Sequence, residues 1–262
     1  MRPGHVEDLP AVVRLWEREV LAGRRDSAPH GRFMQRILSG FDWEACSRVE
    51  EDATGMRGVA LVLRRHTEDT TVARVEAAVA VDDDDELLRT LIAWGVGLSR
   101  AAGAQVVQVW RVRGTAEWLG DTGLTPVRPW WRMDRSFDGP LPAVVPVDGY
   151  RLLESASVPP AAWVDTFNGS FADHWRHTDR AVEELRLGRW PELELMAADS
   201  AGKPAAITLC EIEKYEVDLR PQPVGLVGSY VDGKNEHRAP DLYSDLGFEV
   251  TFDTTVWEAT FP

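Results

Sequence analysis

The residues in this chain best suited to moving protons are Tyr243, the pair Glu211 and Glu213, and His174. A phenol keeps its proton at neutral pH and can hand it to a stronger base lying within about 3 Å. On an extended segment Glu211 and Glu213 point to one face, with Cys210 and Ile212 on the other, and can take up a proton directly or through a water. His174, inside Phe171-Ala-Asp-His-Trp175, can act as a base or line a pocket. Each has a plainer reading as well: a packed tyrosine, a solvated strand face, a surface histidine. The run Val224-Gly-Leu-Val-Gly-Ser-Tyr-Val231 offers main-chain chemistry, because glycines in a strand suit a bulged backbone that a ligand can approach; otherwise it is a plain buried strand. No metal-ligand spacing, nucleophilic triad or Walker-type loop appears.

The elements that must position these groups can be read from the pattern. In Asp232-Gly-Lys-Asn235-Glu-His-Arg-Ala-Pro-Asp-Leu-Tyr243-Ser-Asp-Leu-Gly247-Phe248, Asn235 predicts a helix cap and Gly247 the left-handed stop that ends a short helix. An alternating strand follows from Phe248. Upstream, turn chemistry leads into a helix within 2–22, a second helix covers 32–38, and strands fall at 46–50, 58–64 and 71–81. The strongest helix is 86–102, preceded by Asp82-Asp83-Asp84-Asp85 as cap and first-turn acids. A strand at 105–112, a short helix at 115–119 and a strand at 130–137 complete this half.

Pro140, Pro142 and Pro146 mark 138–148 as a linker, after which the order of elements recurs. Strand 150–153, helices from Pro160 and at 182–187, and strands at 193–198, 205–216 and 224–231 repeat the first half. Trp118-Leu119-Gly120-Asp121-Thr122-Gly123-Leu124 lies over Leu242-Tyr243-Ser244-Asp245-Leu246-Gly247-Phe248. A fixed order of elements repeated in this way is a duplication signature.

The segment Asn235 to Phe248 resembles the end of the GNAT acyl-CoA N-acyltransferase fold, and the repeated order is similar to the tandem GNAT acetyltransferases, a mycothiol-synthase-like arrangement. The resemblance implies an α/β (α+β) fold of two GNAT domains, each a central mixed sheet flanked by helices. The expected divisions are an N-terminal degenerate domain over 1–138, a linker over 139–148 and a C-terminal domain over 149–262. It also implies acetyl-CoA as cosubstrate, without a metal, and transfer of the acetyl group to the primary amine of a small molecule by direct attack. In that scheme Tyr243 protonates the departing thiolate and Glu211 or Glu213 deprotonates the amine. Gly228, Ser229, Tyr230 and Val231 supply carbonyl-polarising N–H groups on the family's fourth strand, and Asn235 and Tyr243 lie along the pantetheine arm. Phe171, His174 and Trp175 face the acceptor, with Trp190 closing an aromatic pocket if the acceptor is a small molecule. A shallow acidic groove would instead suit a protein N-terminus or lysine. A non-catalytic ligand- or protein-binding module is the rival from another class.

Two departures from the family pattern bear on this. Neither half carries its glycine-rich pyrophosphate loop; in the first half five acids, Asp82 to Glu86, stand there and would repel a pyrophosphate by several kcal/mol at low effective dielectric. Leu119 also replaces the tyrosine, so the first half reads as a structural copy. In the second half about 12 residues separate Val231 from Tyr243 where the first spends about 38, a shortfall of roughly 26 residues near 230–232. A parallel strand pair needs a crossover of about a dozen residues or more, so either a segment is deleted or the polypeptide is longer than this sequence.

Composition narrows the partners. A net charge of −14 repels nucleic acid and is compatible with a cationic amine, or simply with solubility. No apolar run approaches the ~20 residues of a membrane span, and the N-terminus has no apolar signal core. Cys46 and Cys210 lie far apart, which suits a reduced, cytoplasmic protein, monomer or homodimer.

Overall fold

Pro10 in the first turn, followed by Val12, Leu15, Trp16, Glu19 and Val20 on one buried face, makes Leu9–Leu21 a helix, α1. The computed structural model describes residues 1–27, 38, 40–66, 70–80, 84–136, 143, 145, 147–172, 174–183, 195–208 and 227–262. A short helix α2 (Trp43–Cys46) leads into strands β1 (Ser47–Asp52), β2 (Gly55–His66) and β3 (Thr71–Val79). Helix α3 (Asp85–Ala101) starts where the Asp84 carboxylate accepts the Leu87 N–H, 3.1 Å away. Strands β4 (Val106–Val112) and β5 (Thr125–Arg135) follow, joined by a 3-10 helix at Glu117–Thr122. The second half contributes β6 (Tyr150–Glu154), α4 (Pro160–Phe171), β7 (Leu195–Asp199), β8 (Pro204–Thr208), β9 (Val227–Asp232), α5 (Ala239–Asp245) and β10 (Glu249–Thr260).

The chain divides into two compact units, Met1–Pro29 with Gly40–Asp138 and Tyr215–Pro262, and His30–Ser39 with Gly139–Lys214. In the first, a mixed sheet runs β1-β2-β3-β4-β10-β5-β9, with β3 and β4 parallel and every other neighbouring pair antiparallel. One face is closed by α3, whose Leu91 and Ile92 join Val75, Ala77, Val107, Val109 and Leu119 in the core. In the second unit, β6-β7-β8 forms an antiparallel sheet, and Trp163 and Val164 of α4 pack with Met196 of β7.

The two halves exchange their last strands. The pairs Val112↔Thr254 and Val107↔Ala259 join β4 to β10, and the equivalent pairs Asp232↔Trp130 and Val227↔Arg135 join β9 to β5. Between β5 and β10, Asp134↔Glu249 has its counterpart in Thr125↔Glu258, so the pairing is symmetric about Trp130↔Thr254. By this pseudo-twofold β9 is the counterpart of β4, the strand after the long helix. The expectation that 224–231 matches the fourth strand is therefore corrected: β5 pairs with β9 in the register in which β10 pairs with β4.

The length deficit moves accordingly. No break exists near 230–232, where Gly233 N–H bonds Pro129 O at 3.1 Å and Asn235 N–H bonds Asp232 O at 3.0 Å on the way into α5. β9 and β10 are parallel with β5 between them, and the connection 233–248 bridges that span. The short interval is 209–226, between β8 and β9, where the first half uses 67–105 for β3 and α3. Among the described residues the second half has no counterpart of α3.

Candidate active site

Tyr243 is set by the turn before it and the strand beside it. The Asn235 side-chain oxygen accepts the N–H groups of His237 (3.0 Å) and Ala239 (3.2 Å), which folds 235–239 into the start of α5. Arg238 sits there with φ +57°, a conformation L side chains rarely adopt. Gly247, at φ +80°, ends the helix, and Phe248 N–H returns to Tyr243 O at 2.9 Å. The Phe248 ring meets the Tyr243 ring edge-on at 5.2 Å. Across from it, Ser229 Oγ on β9 donates to the Tyr243 hydroxyl at 2.9 Å. That bond uses a lone pair of the phenol oxygen and leaves its own proton to be given elsewhere.

Of the other residues proposed from sequence, Gly228, Tyr230 and Val231 share β9 with Ser229. The strand pairs with β5 without a register shift, so no bulge opens it. Gly228 is needed for another reason: a Cβ there would fall 2.5 Å from Asp134 Oδ1. Tyr230 turns to the face opposite Ser229, with its hydroxyl 3.2 Å from Ser27 Oγ, and Val231 is buried. Asn235 acts within the turn. Glu211, Glu213 and Trp190 lie outside the described residues. Phe171, His174 and Trp175 belong to the second unit, where Trp163, Phe167 and Phe171 form an aromatic ladder along α4. The Phe171 ring meets His174 at 5.6 Å and His177 at 6.2 Å. The Asn168 carboxamide bonds both the N–H and C=O of Arg180, pinning the loop that carries these histidines to α4.

The equivalent place in the first half is closed. Leu119 is fully buried in the core, with no hydroxyl to offer. The α3 N-terminus already holds the Asp84 carboxylate, which also pairs with Arg57. The parallel ladder between β3 and β4 extends only from Val72 to Val75 on β3, and beyond it the strands diverge. Arg111 fills that opening: its Nη2 donates to Ala77 O at 2.8 Å and its Nη1 lies 3.7 Å from Glu19 on α1. Arg25 and Arg74 bind Glu76 beside it. Burial raises the Glu76 carboxyl, but Arg74, Arg25 and Arg111 outweigh it and hold the group below its ordinary value. Sequence reading passed over Arg111, although the alternation Val107, Val109, Arg111 puts a charge on an apolar face.

No family model matches the sequence, and no curated protein matches it. Solved structures do match in fold. A GCN5-related N-acetyltransferase from Sphaerobacter thermophilus superposes with TM-score 0.69 at 19% identity, over 99% of this chain and 94% of that one. A tandem GNAT protein from the clavulanic acid biosynthesis pathway gives TM-score 0.62 at 17% identity, over 100% and 98%. A GCN5-related N-acetyltransferase from Anabaena variabilis gives 0.55 at 10% identity, over 99% of this chain and 72% of that one. The chain has the fold of the tandem GNAT N-acetyltransferases.

Proposed function

We propose that this protein is an acetyl-CoA-dependent N-acetyltransferase acting through its second half on the primary amine of a small molecule. The observation that carries this reading is the hydrogen bond from Ser229 to Tyr243, which holds a phenol with its proton free at the end of a GNAT fold. The first half does not fit an acyl donor, since Arg111 occupies its opening and Asp84 its helix N-terminus. The second half fits at the thiolate end. Among the described residues it shows no pyrophosphate cradle.

Acetyl-CoA, when bound, supplies a thioester whose acetyl group passes to an amine, releasing a thiolate sulfur and a proton on nitrogen. Tyr243 gives its hydroxyl proton to that sulfur and is reprotonated from water. Glu211 or Glu213 takes the proton from nitrogen. In this reading the developing oxyanion is held by main-chain N–H groups of 228–231 on β9.

The test is a thiol-release assay with acetyl-CoA and a panel of small primary amines, alongside calorimetric titration with acetyl-CoA alone. Saturable binding and acetylated product by mass spectrometry are expected. A protein that binds no acetyl-CoA is the outcome the binding-module rival requires, and it would remove this reading. Acetylation only of peptides would move the acceptor to a protein amine.

A further inference from the structure

The hydroxyls of Ser229 and Tyr243 are replaced together in the other half. Under the pseudo-twofold that relates β4 to β9, the pairs Val109↔Trp257 and Ser229↔Met133 are equivalent, so Ser229 takes the place of Val109 as Tyr243 takes that of Leu119. Val109 and Leu119 are 1% and 0% exposed and share one apolar core. Ser229 and Tyr243 are half-buried and joined by a hydrogen bond of 2.9 Å. Exchanging both partners of such a bond for apolar groups of similar shape is close to neutral for stability, so stability alone does not account for the polar pair. Both of its members are located by β5. The ladder between β9 and β5 runs from Val227 to Asp232 without a slip, which fixes where Ser229 stands along the sheet. Arg135 of β5 donates to Leu246 O at the end of α5, and the Phe248 ring braces Tyr243 from the side.

We infer that Ser229 is the positioning residue for proton transfer from Tyr243, an inference that rests on the acetyltransferase reading above. It acts through the phenol. When the carbon–sulfur bond breaks, the sulfur keeps the bonding electron pair and takes the phenolic proton, which leaves a negative charge on the Tyr243 oxygen. The Ser229 O–H already points at that oxygen, so the bond becomes charge-assisted as the charge develops. An interaction that is stronger in the transition state than before it raises kcat and leaves KM alone. The same bond keeps the phenol from giving its proton to Ser229 instead of to the sulfur. Water then returns a proton to Tyr243.

Steady-state thiol release by the full chain, with acetyl-CoA and an amine of the panel that it accepts, tests this. Ser229→Ala should lower kcat roughly tenfold with the acetyl-CoA KM nearly constant, and Ser229→Thr, which keeps a hydroxyl, should recover most of the loss. In a Tyr243→Phe background Ser229→Ala should cost nothing further, because its effect passes through the phenol. With tyrosine labelled by carbon-13 at Cζ, the Tyr243 signal, identified by its loss in Tyr243→Phe, should move in Ser229→Ala with no acyl donor present. A kcat that Ser229→Ala leaves unchanged, or a loss of equal size in the Tyr243→Phe background, overturns the inference and leaves the acetyltransferase reading standing. A wild-type chain that binds no acetyl-CoA and releases no thiol removes that reading and this inference with it, whatever the labelled tyrosine shows.

Discussion

Tyr243 and Leu119 occupy equivalent places in the two halves, and the difference between them is a hydroxyl with a partner against a methyl-ended side chain in the core. If Tyr243 is the proton donor, Tyr243→Phe lowers kcat about 100-fold while the acetyl-CoA KM stays nearly constant, measured by steady-state thiol release. A comparable fall in binding would instead make the hydroxyl a ligand contact. At the ion-pair cluster, Glu76→Gln leaves Arg25 and Arg74 without their shared carboxylate and should destabilise the fold by about 3–5 kcal/mol in urea unfolding. The Asp8 carboxyl is held below its ordinary value chiefly by its hydrogen bonds to Arg2, and Glu76 by the balance described above. A depressed carboxyl stabilises the fold above its unfolded pKa and stops doing so as pH falls through the folded one. Tm should therefore be flat above about pH 5 and decline below about pH 4. A Tm that rises on acidification would contradict both assignments.

Elements differ in how openly the sequence announces them. α3 was legible because a carboxylate cap, first-turn acids and helical spacing agree over a long segment. Its Gly95 shows what the pattern hides: a Cβ there would stand 2.5 Å from Val75 Cγ1, so the glycine lets helix and strand approach. Gly95→Ala should cost about 1–3 kcal/mol by overpacking, read by thermal or urea unfolding. If it instead stabilises through helix propensity, Val75 yields to the added methyl and the close approach of α3 to β3 does not depend on Gly95. β5 was only half legible, read as 130–137 where the strand is Thr125–Arg135, because Pro126 and Pro129 look like loop residues. The short helix α5 was visible through Gly247, whereas the capping role of Asn235 takes the form of a turn that bonds two N–H groups.

For the whole molecule, the exchange of last strands makes the two halves interdependent. β10 lies between β4 and β5, and β5 between β10 and β9. A fragment ending at residue 138 would lack the strand that joins β4 to β5 and should not unfold cooperatively by circular dichroism. Adding a second fragment that supplies 227–262 should restore a single transition. A fragment 1–138 that folds alone with full cooperativity would show that the first half does not depend on the exchange. The boundaries expected from repeat order, 1–138 and 149–262, differ from the compact units, which follow packing.

The sequence by itself determined what is local: helix caps, glycine stops, strand alternation, and the alignment of Trp118–Leu124 with Leu242–Phe248 that points to a duplication. Those signals depend on residues close in the chain, and spacing records them. Only the tertiary structure decided which strand β9 corresponds to, that Ser229 serves Tyr243, and that Arg111 fills the first half's opening. Strand order and an arginine's choice of acceptor depend on residues far apart in sequence, and no local periodicity carries that information.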